Sequence, residues 1–196
     1  VQVGEDAVCV PPGSALDLGA SGKAFAADLV ALAIAHELGA PALISVGGDV
    51  RVAGPDEGNP TSVPAYPVVL GSTVADLETD GSPPRVWLRG GGLATSSTAA
   101  RRWSRGGRQW HHLVDPRTGA PTGGMLRTVT AWGRTAVAAN TASTAAMVLG
   151  DAAWPWLLAR DVAARLVDVD GRVRTTTAWD ASGFEVSECA RPCSGT

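Results

Sequence analysis

The sequence predicts one α+β domain in which mostly antiparallel strands pack with buried helices. Three observations carry that prediction. Short apolar runs bounded by Gly, Pro and Asp recur along the chain, and several are adjacent, which suits antiparallel pairing. Two longer stretches rich in small and apolar residues end at a glycine, as helices do. The chain has 196 residues, 45% of them hydrophobic and 18% charged, which fits a folded core and excludes a disordered or collagen-like chain. Residues 1–196 read as a single domain with no internal repeat, and 181–196 as a polar tail.

Each element has a local reason. Residues 7–10 are a short apolar run that stops at Pro11-Pro12-Gly13, as a strand stops at a turn. From Ser21 or Gly22 a long apolar stretch reaches Leu38 and meets Gly39 and Pro41. This is a helix with its stop signals in place, and it is apolar nearly all round, so burial is expected. Residues 42–46 and 50–53 form strands across Gly47-Gly48-Asp49, where two glycines supply the positive φ of a tight hairpin. Residues 54–64 are a loop, and 66–70 and 85–88 are strands joined by an acidic connection. Residues 101–108 read as a basic loop. Strands follow at 110–114 and 127–132. A helix over 135–149 is closed by Gly150, and a second short helix spans 151–160. The last pair, 164–169 and 172–178, is a hairpin across Asp170-Gly171.

Composition removes several classes of function. The net charge is −3, which argues against a dedicated nucleic-acid binder. Of 16 basic residues only Lys23 is lysine, a bias that says little about function. No apolar run approaches the ~18 residues of a membrane span, since Asp28, His36 and Glu37 interrupt the best candidate. Cys9, Cys189 and Cys193 are too few and too ill-spaced for a disulfide framework or a zinc site. The chain opens on Val1, so a fragment or processed product is expected. Its location leans to the cytoplasm, with an extracytoplasmic lipoprotein as the alternative.

Four segments could carry chemistry. Asp17-Leu18-Gly19-Ala20-Ser21-Gly22-Lys23 feeds small residues into a helix start, where free N–H groups and the dipole favour an anion such as phosphate. Taken alone, an ordinary helix entry with Asp17 as a local cap is the better account. Ser45-Val46-Gly47-Gly48-Asp49 is sufficiently explained as a turn. In His111-His112-Leu113-Val114-Asp115-Pro116-Arg117-Thr118-Gly119 the two histidines alternate across a strand, so they cannot easily share a metal. One of them beside the Asp-Pro turn suits a general base, and a packed histidine beside a structural turn fits equally well. Ala139-Asn140-Thr141-Ala142-Ser143-Thr144 places Asn140 and Thr144 at i and i+4, with oxygens on one helix face and Ser143 near. Close packing through small residues explains that segment at least as well. Trp103 and Trp110 flank the basic stretch, which reads as a solvated hairpin tip with one tryptophan packed down.

Taken in order, these segments resemble the ApbE family. The order is Asp-Leu-Gly-Ala-x-x-Lys, Val-Gly-Gly-Asp, Ala-Thr-Ser-Ser, His-x-x-Asp-Pro-Arg-Thr-Gly and Ala-Asn-x-x-Ser-Thr, over residues 17–179. The resemblance implies a core related to the tunnelling fold, with the chain as the C-terminal two-thirds of an actinobacterial-like member. It implies Mg²⁺-dependent transfer of FMN from FAD to a Thr or Ser hydroxyl of an acceptor protein, with release of AMP. A non-catalytic FAD-binding module and an FAD pyrophosphatase giving FMN and AMP are the alternatives. It further implies that Asp17 and Lys23 contact FAD, with Val114 contributing through its backbone. Ala20 would bind Mg²⁺ through its carbonyl, Asn140, Ser143 and Thr144 would complete the metal site, and His112 would deprotonate the acceptor. Asn140 stands where the family usually has aspartate, so one negative charge is missing there. Ala20 replaces the second glycine of the usual Asp-Leu-Gly-Gly.

Overall fold

A computed structural model describes residues 1–56, 63–71 and 83–182. Strands β1 (Gln2–Val3) and β2 (Val8–Cys9) form a small hairpin ahead of helix α1 (Ser21–Leu38). Next come β3 (Ala42–Val46), β4 (Asp49–Ala53), and the separate pair β5 (Tyr66–Val69) and β6 (Arg85–Leu88). Strand β7 (Gly91–Ser97) precedes a two-stranded arm, β8 (Arg102–Arg105) and β9 (Arg108–His111). Strands β10 (Val114–Asp115) and β11 (Ala120–Pro121) lead to β12 (Leu126–Gly133) and helix α2 (Ala136–Leu149). The chain continues through α3 (Ala153–Leu158), β13 (Ala164–Asp168), β14 (Val173–Thr175) and α4 (Thr177–Ala181).

Six strands make the central sheet in the order β14-β13-β12-β7-β4-β3, and every neighbouring pair is antiparallel. Helix α1 lies on β3 and β4, α2 lies on β7 and β12, and the two helices touch. The opposite face is covered by β6 and α4, where Val50, Val52 and Leu93 meet Val86, Leu88 and Trp179. This is the α+β architecture expected from the sequence.

Strand alternation assigns the faces. Along β4, Val50 and Val52 enter the cluster beneath β6, while Ala53 packs on Ala31 and Ala35 of α1. The intervening Asp49 and Arg51 therefore lie under the helices, and both are buried. Along β7, Leu93 faces the β6 side, while Gly92 and Ser96 meet α2.

The start of α2 rests directly on Gly92. A Cβ there would sit 2.3 Å from the backbone N of Ala136 and 2.4 Å from its Cα. Gly92→Ala is therefore expected to cost about 1–3 kcal/mol, the range for forcing atoms into a packed core. Urea denaturation checks this, and an unchanged midpoint would show that α2 can shift freely.

Three expectations change, and one segment without an expected element gains one. Helix α1 is not buried all round. Its buried line is Ala24, Ala27, Asp28, Ala31 and Ala35, whose small side chains let the backbone approach the sheet, while Phe25, Leu29, Val30, Leu32 and Leu38 are exposed. The sheet can cover only one side of a helix. The glycine-rich segment before Ser96, given no element above, is part of β7, one of the two central strands of the sheet. Residues 101–108 are an arm rather than a loop, closed by Gly106 and Gly107 at φ 59° and 72°. The last strand stops at Thr175, because the Thr176 side chain accepts from Trp179 N and starts α4. Residues 183–196, with Cys189 and Cys193, lie outside the described residues. Among the described residues no helix is long and apolar enough to cross a membrane.

Candidate active site

The floor of the site is a polar cluster between the sheet and the two helices. Asp28 of α1 accepts from Ala136 N at 2.7 Å and from Val137 N at 3.0 Å, so a carboxylate caps the start of α2. Arg51 of β4 lies 3.4 Å from the same carboxylate and donates to the carbonyl of Arg134. One ion pair thus fixes α1, β4 and α2 relative to one another.

Beyond this lock, the turn between β3 and β4 meets both helices. Gly47 and Gly48 take φ of 59° and 94°. Lys23 lies across the turn, so a Cβ at Gly47 would come within 3.2 Å of its Cδ and 3.3 Å of its Nζ. The bare turn is therefore occupied by the lysine of the Asp-Leu-Gly-Ala-x-x-Lys segment. Asp49 follows and accepts from Asn140 Nδ2 at 3.0 Å. Its other oxygen, Oδ2, is buried without a hydrogen-bond partner among the described residues. Burial pushes the Asp49 carboxyl above the usual aspartate value, against the Asn140 hydrogen bond and the charge of Lys23, which lower it.

On α2, Ser143 is fully buried. Its hydroxyl donates to the Asn140 carbonyl at 3.1 Å and lies 2.9 Å from Ser96 Oγ, which is also 2.9 Å from Thr144 Oγ1. Ser143 stands behind Asn140 and Thr144 as part of a hydroxyl chain.

The arm ends beside the histidine pair. His111 Nε2 donates to the carbonyl of Thr122 at 3.0 Å, which ties the base of the arm down. His112 follows and is exposed. Surrounding protein and the positive charge of Arg101 hold its pKa below the ordinary 6.5, and the charges of His111 and Lys23 add to this. A hydrogen bond to the Arg101 backbone opposes the shift without reversing it. At neutral pH the imidazole is therefore uncharged. One ring nitrogen is held by the backbone, which leaves the other as a base. Leu113 is buried in the core, and Val114 beyond it is exposed. Asp115 is clamped by Arg117, with contacts of 2.8 to 3.2 Å, and the Arg117 hydrogen bonds keep its carboxyl below the usual range.

On the arm, Trp103 pairs across the strands with Trp110, and Arg108 stacks over Trp110 at 5.3 Å. Arg102, Arg105 and Arg108 are exposed. Trp103 is largely exposed, and Trp110 is the half-covered member of the pair.

Asp17 is exposed and accepts from Gly19 N at 2.7 Å, so it closes a turn ahead of α1 and does not cap the helix, as the sequence suggested it would. Ala20 occupies the N-cap position of α1, where no side chain caps the first N–H groups. The structure thus joins Lys23 to Asp49 and Asn140, and brings the charge of Lys23 to His112. Sequence reasoning missed Asp28, Asp49, Ser96 and Arg101 as parts of this site. The signal available for Asp49 was strand alternation, since Asp49 and Arg51 share a face with Ala53, opposite Val50 and Val52.

Comparison with solved structures gives the class of protein. An ApbE protein from Thermotoga maritima superposes with a TM-score of 0.69 at 25% identity, covering 85% of this chain and 52% of that one. The Pseudomonas stutzeri flavinyl transferase ApbE gives 0.66 at 27% identity, over 85% and 50%. The fold is theirs: an antiparallel sheet with two helices on one face. The ApbE family model matches residues 2–166, and the chain belongs to the ApbE family. It is 33% identical to the FAD:protein FMN transferase of Treponema pallidum over 141 residues, and 33% identical to that of Klebsiella pneumoniae (strain 342) over 120. The chain spans 39% and 34% of the length of these two relatives.

Proposed function

We propose that the protein moves FMN from FAD to a Thr or Ser hydroxyl of an acceptor protein, with Mg²⁺, and releases AMP. Membership of the family and the names of its relatives support flavin transfer. The observation that carries the reading is His112, an exposed histidine beside Arg101 in the His-x-x-Asp-Pro-Arg-Thr-Gly segment of a chain that belongs to the family. A neutral imidazole can take a proton, and the cations beside it suit a pyrophosphate.

His112 takes the proton of the acceptor hydroxyl. The hydroxyl oxygen forms a bond to the FMN-side phosphorus of FAD. The bridging P–O bond breaks, and its electron pair leaves with AMP. Lys23 and Arg101 oppose the charge that builds on the phosphate oxygens. Asp17 and the backbone at Val114 would contact FAD.

The residues present fit a hard cation held weakly by the protein. Among the described residues there is no group of three His, Cys, Asp or Glu side chains that could hold a metal. Asn140, Ser143, Thr144 and Ser96 form a cluster of neutral oxygen groups, and the Asp49 carboxylate accepts from Asn140; such a set would leave several positions for phosphate oxygens. Mg²⁺ would be held by the Ala20 carbonyl, Asn140 and Thr144, with Ser143 behind them, and would neutralise pyrophosphate charge.

The test is incubation with FAD, Mg²⁺ and an acceptor protein, following acceptor mass and AMP together. Acceptor heavier by one FMN, with matching AMP, is the expected result. Free FMN and AMP with unmodified acceptor would replace transfer by hydrolysis. Intact FAD that stays bound would leave a binding module.

A further inference from the structure

We propose that Asp49 and Ser96 are positioning residues that fix the hydrogen-bond polarity of Asn140 and Thr144, so that both present oxygen lone pairs to one divalent cation. The inference deepens the flavin-transfer reading and rests on it for the identity of the cation.

The polarity follows from donor counting. Ser143 bonds the Asn140 carbonyl, which can only accept, so the single Ser143 proton is spent there. The 2.9 Å contact between Ser143 and Ser96 must then use the Ser96 proton. The 2.9 Å contact between Ser96 and Thr144 must in turn use the Thr144 proton. The chain runs one way, from Thr144 through Ser96 and Ser143 to the Asn140 backbone. The Thr144 hydroxyl proton therefore points inward, and its remaining lone pair is free for a cation.

Asn140 is oriented by the same logic. In the 3.0 Å contact with Asp49, Asn140 Nδ2 donates and Asp49 Oδ1 accepts. The Asn140 amide oxygen is then turned away from Asp49. Asn140 and Thr144 stand four residues apart, on one face of α2. Left to themselves, an amide and a hydroxyl could present either donors or acceptors, and only acceptors bind a cation. The Asp49 carboxylate, with Oδ2 unpartnered among the described residues, stands beside Asn140.

Supporting partners of metal ligands typically change affinity by about 10- to 100-fold, and that sets the scale of the test. Mn²⁺ binding to the purified protein is titrated by electron paramagnetic resonance, without and with FAD, and the melting temperature is read without metal. Asp49→Asn and Ser96→Ala are each expected to weaken Mn²⁺ binding about 10-fold or more. Asp49→Asn should leave the metal-free melting temperature unchanged or raised, because it removes a buried charge with one oxygen unpartnered. The exchange Asp49→Asn with Asn140→Asp keeps one carboxylate in the pair and should return Mn²⁺ affinity to within about threefold of wild type.

Wild-type Mn²⁺ affinity in both single variants would overturn the proposal, as would an absence of saturable binding in the wild type. So would an exchange variant as weak as Asp49→Asn alone, or a melting temperature that falls in step with affinity. Mn²⁺ binding as expected in a protein that leaves FAD and acceptor unchanged would remove the transfer reading and keep this one.

Discussion

Asp28→Ala is expected to destabilise the protein by about 3–5 kcal/mol, the usual cost of removing one partner from a buried ion pair. Asp28 and Arg51 are 6% and 3% exposed, so neither charge can turn to water when its partner is lost. The substitution also strips acceptors from two N–H groups at the start of α2, Ala136 N and Val137 N. Asp28→Asn should fall between, since an amide oxygen still accepts one N–H but cannot neutralise Arg51. The two contributions can be separated. Asp28→Ala combined with Arg51→Met removes both charges, and apolar replacement of a buried pair is often close to neutral. That double variant should regain most of the loss but remain about 0.5–2 kcal/mol below wild type, the worth of a helix cap. Urea midpoints of the three variants give the answer. An Asp28→Ala loss under about 1 kcal/mol would mean that Arg51 finds other compensation and that the pair does not hold the layers together. A turn of α2 beyond this cap stands Asn140, so the same lock positions the site.

How much of this was legible in the sequence depended on the range of the interaction. Helices α1 and α2 and the β3–β4 hairpin could be read because their signals are local: apolar runs, stop glycines, a Gly-Gly turn. Strand β7 could not, because Gly90-Gly91-Gly92 looks like punctuation until α2 is seen resting on Gly92. The burial of α1 was misjudged for a related reason. Its large side chains dominate the hydropathy, but its alanines decide which face can approach a sheet. At the site, His112 and the pair Asn140 and Thr144 stood out by type and spacing. Asp49 did not, since a Gly-Gly-Asp turn explains itself. Its role appears only when β4 is laid beneath α2, 91 positions away in the chain. Asn140 therefore read as a lost charge, whereas the structure sets a carboxylate against it.

His112→Ala is expected to lower FMN transfer by about 10²- to 10⁴-fold, the range for losing a general base. The fold should be little affected, because His112 is exposed and no core residue depends on it. The pH profile carries the sharper information. Partial desolvation by the surrounding protein and the Arg101 charge hold the His112 pKa below its ordinary value, so the base is already unprotonated at neutral pH. Transfer should rise through an acidic limb lying below 6.5 and then level off. Arg101→Ala removes a positive charge but keeps the backbone to which His112 is bonded. Protonated His112 becomes less costly, its pKa rises, and the limb should move to higher pH. A purely phosphate-binding role for Arg101 would weaken FAD binding and leave the limb where it was. Rates against pH, at saturating FAD and acceptor, separate the two. His112→Ala with an unchanged acidic limb would assign that limb, and the base, to another group.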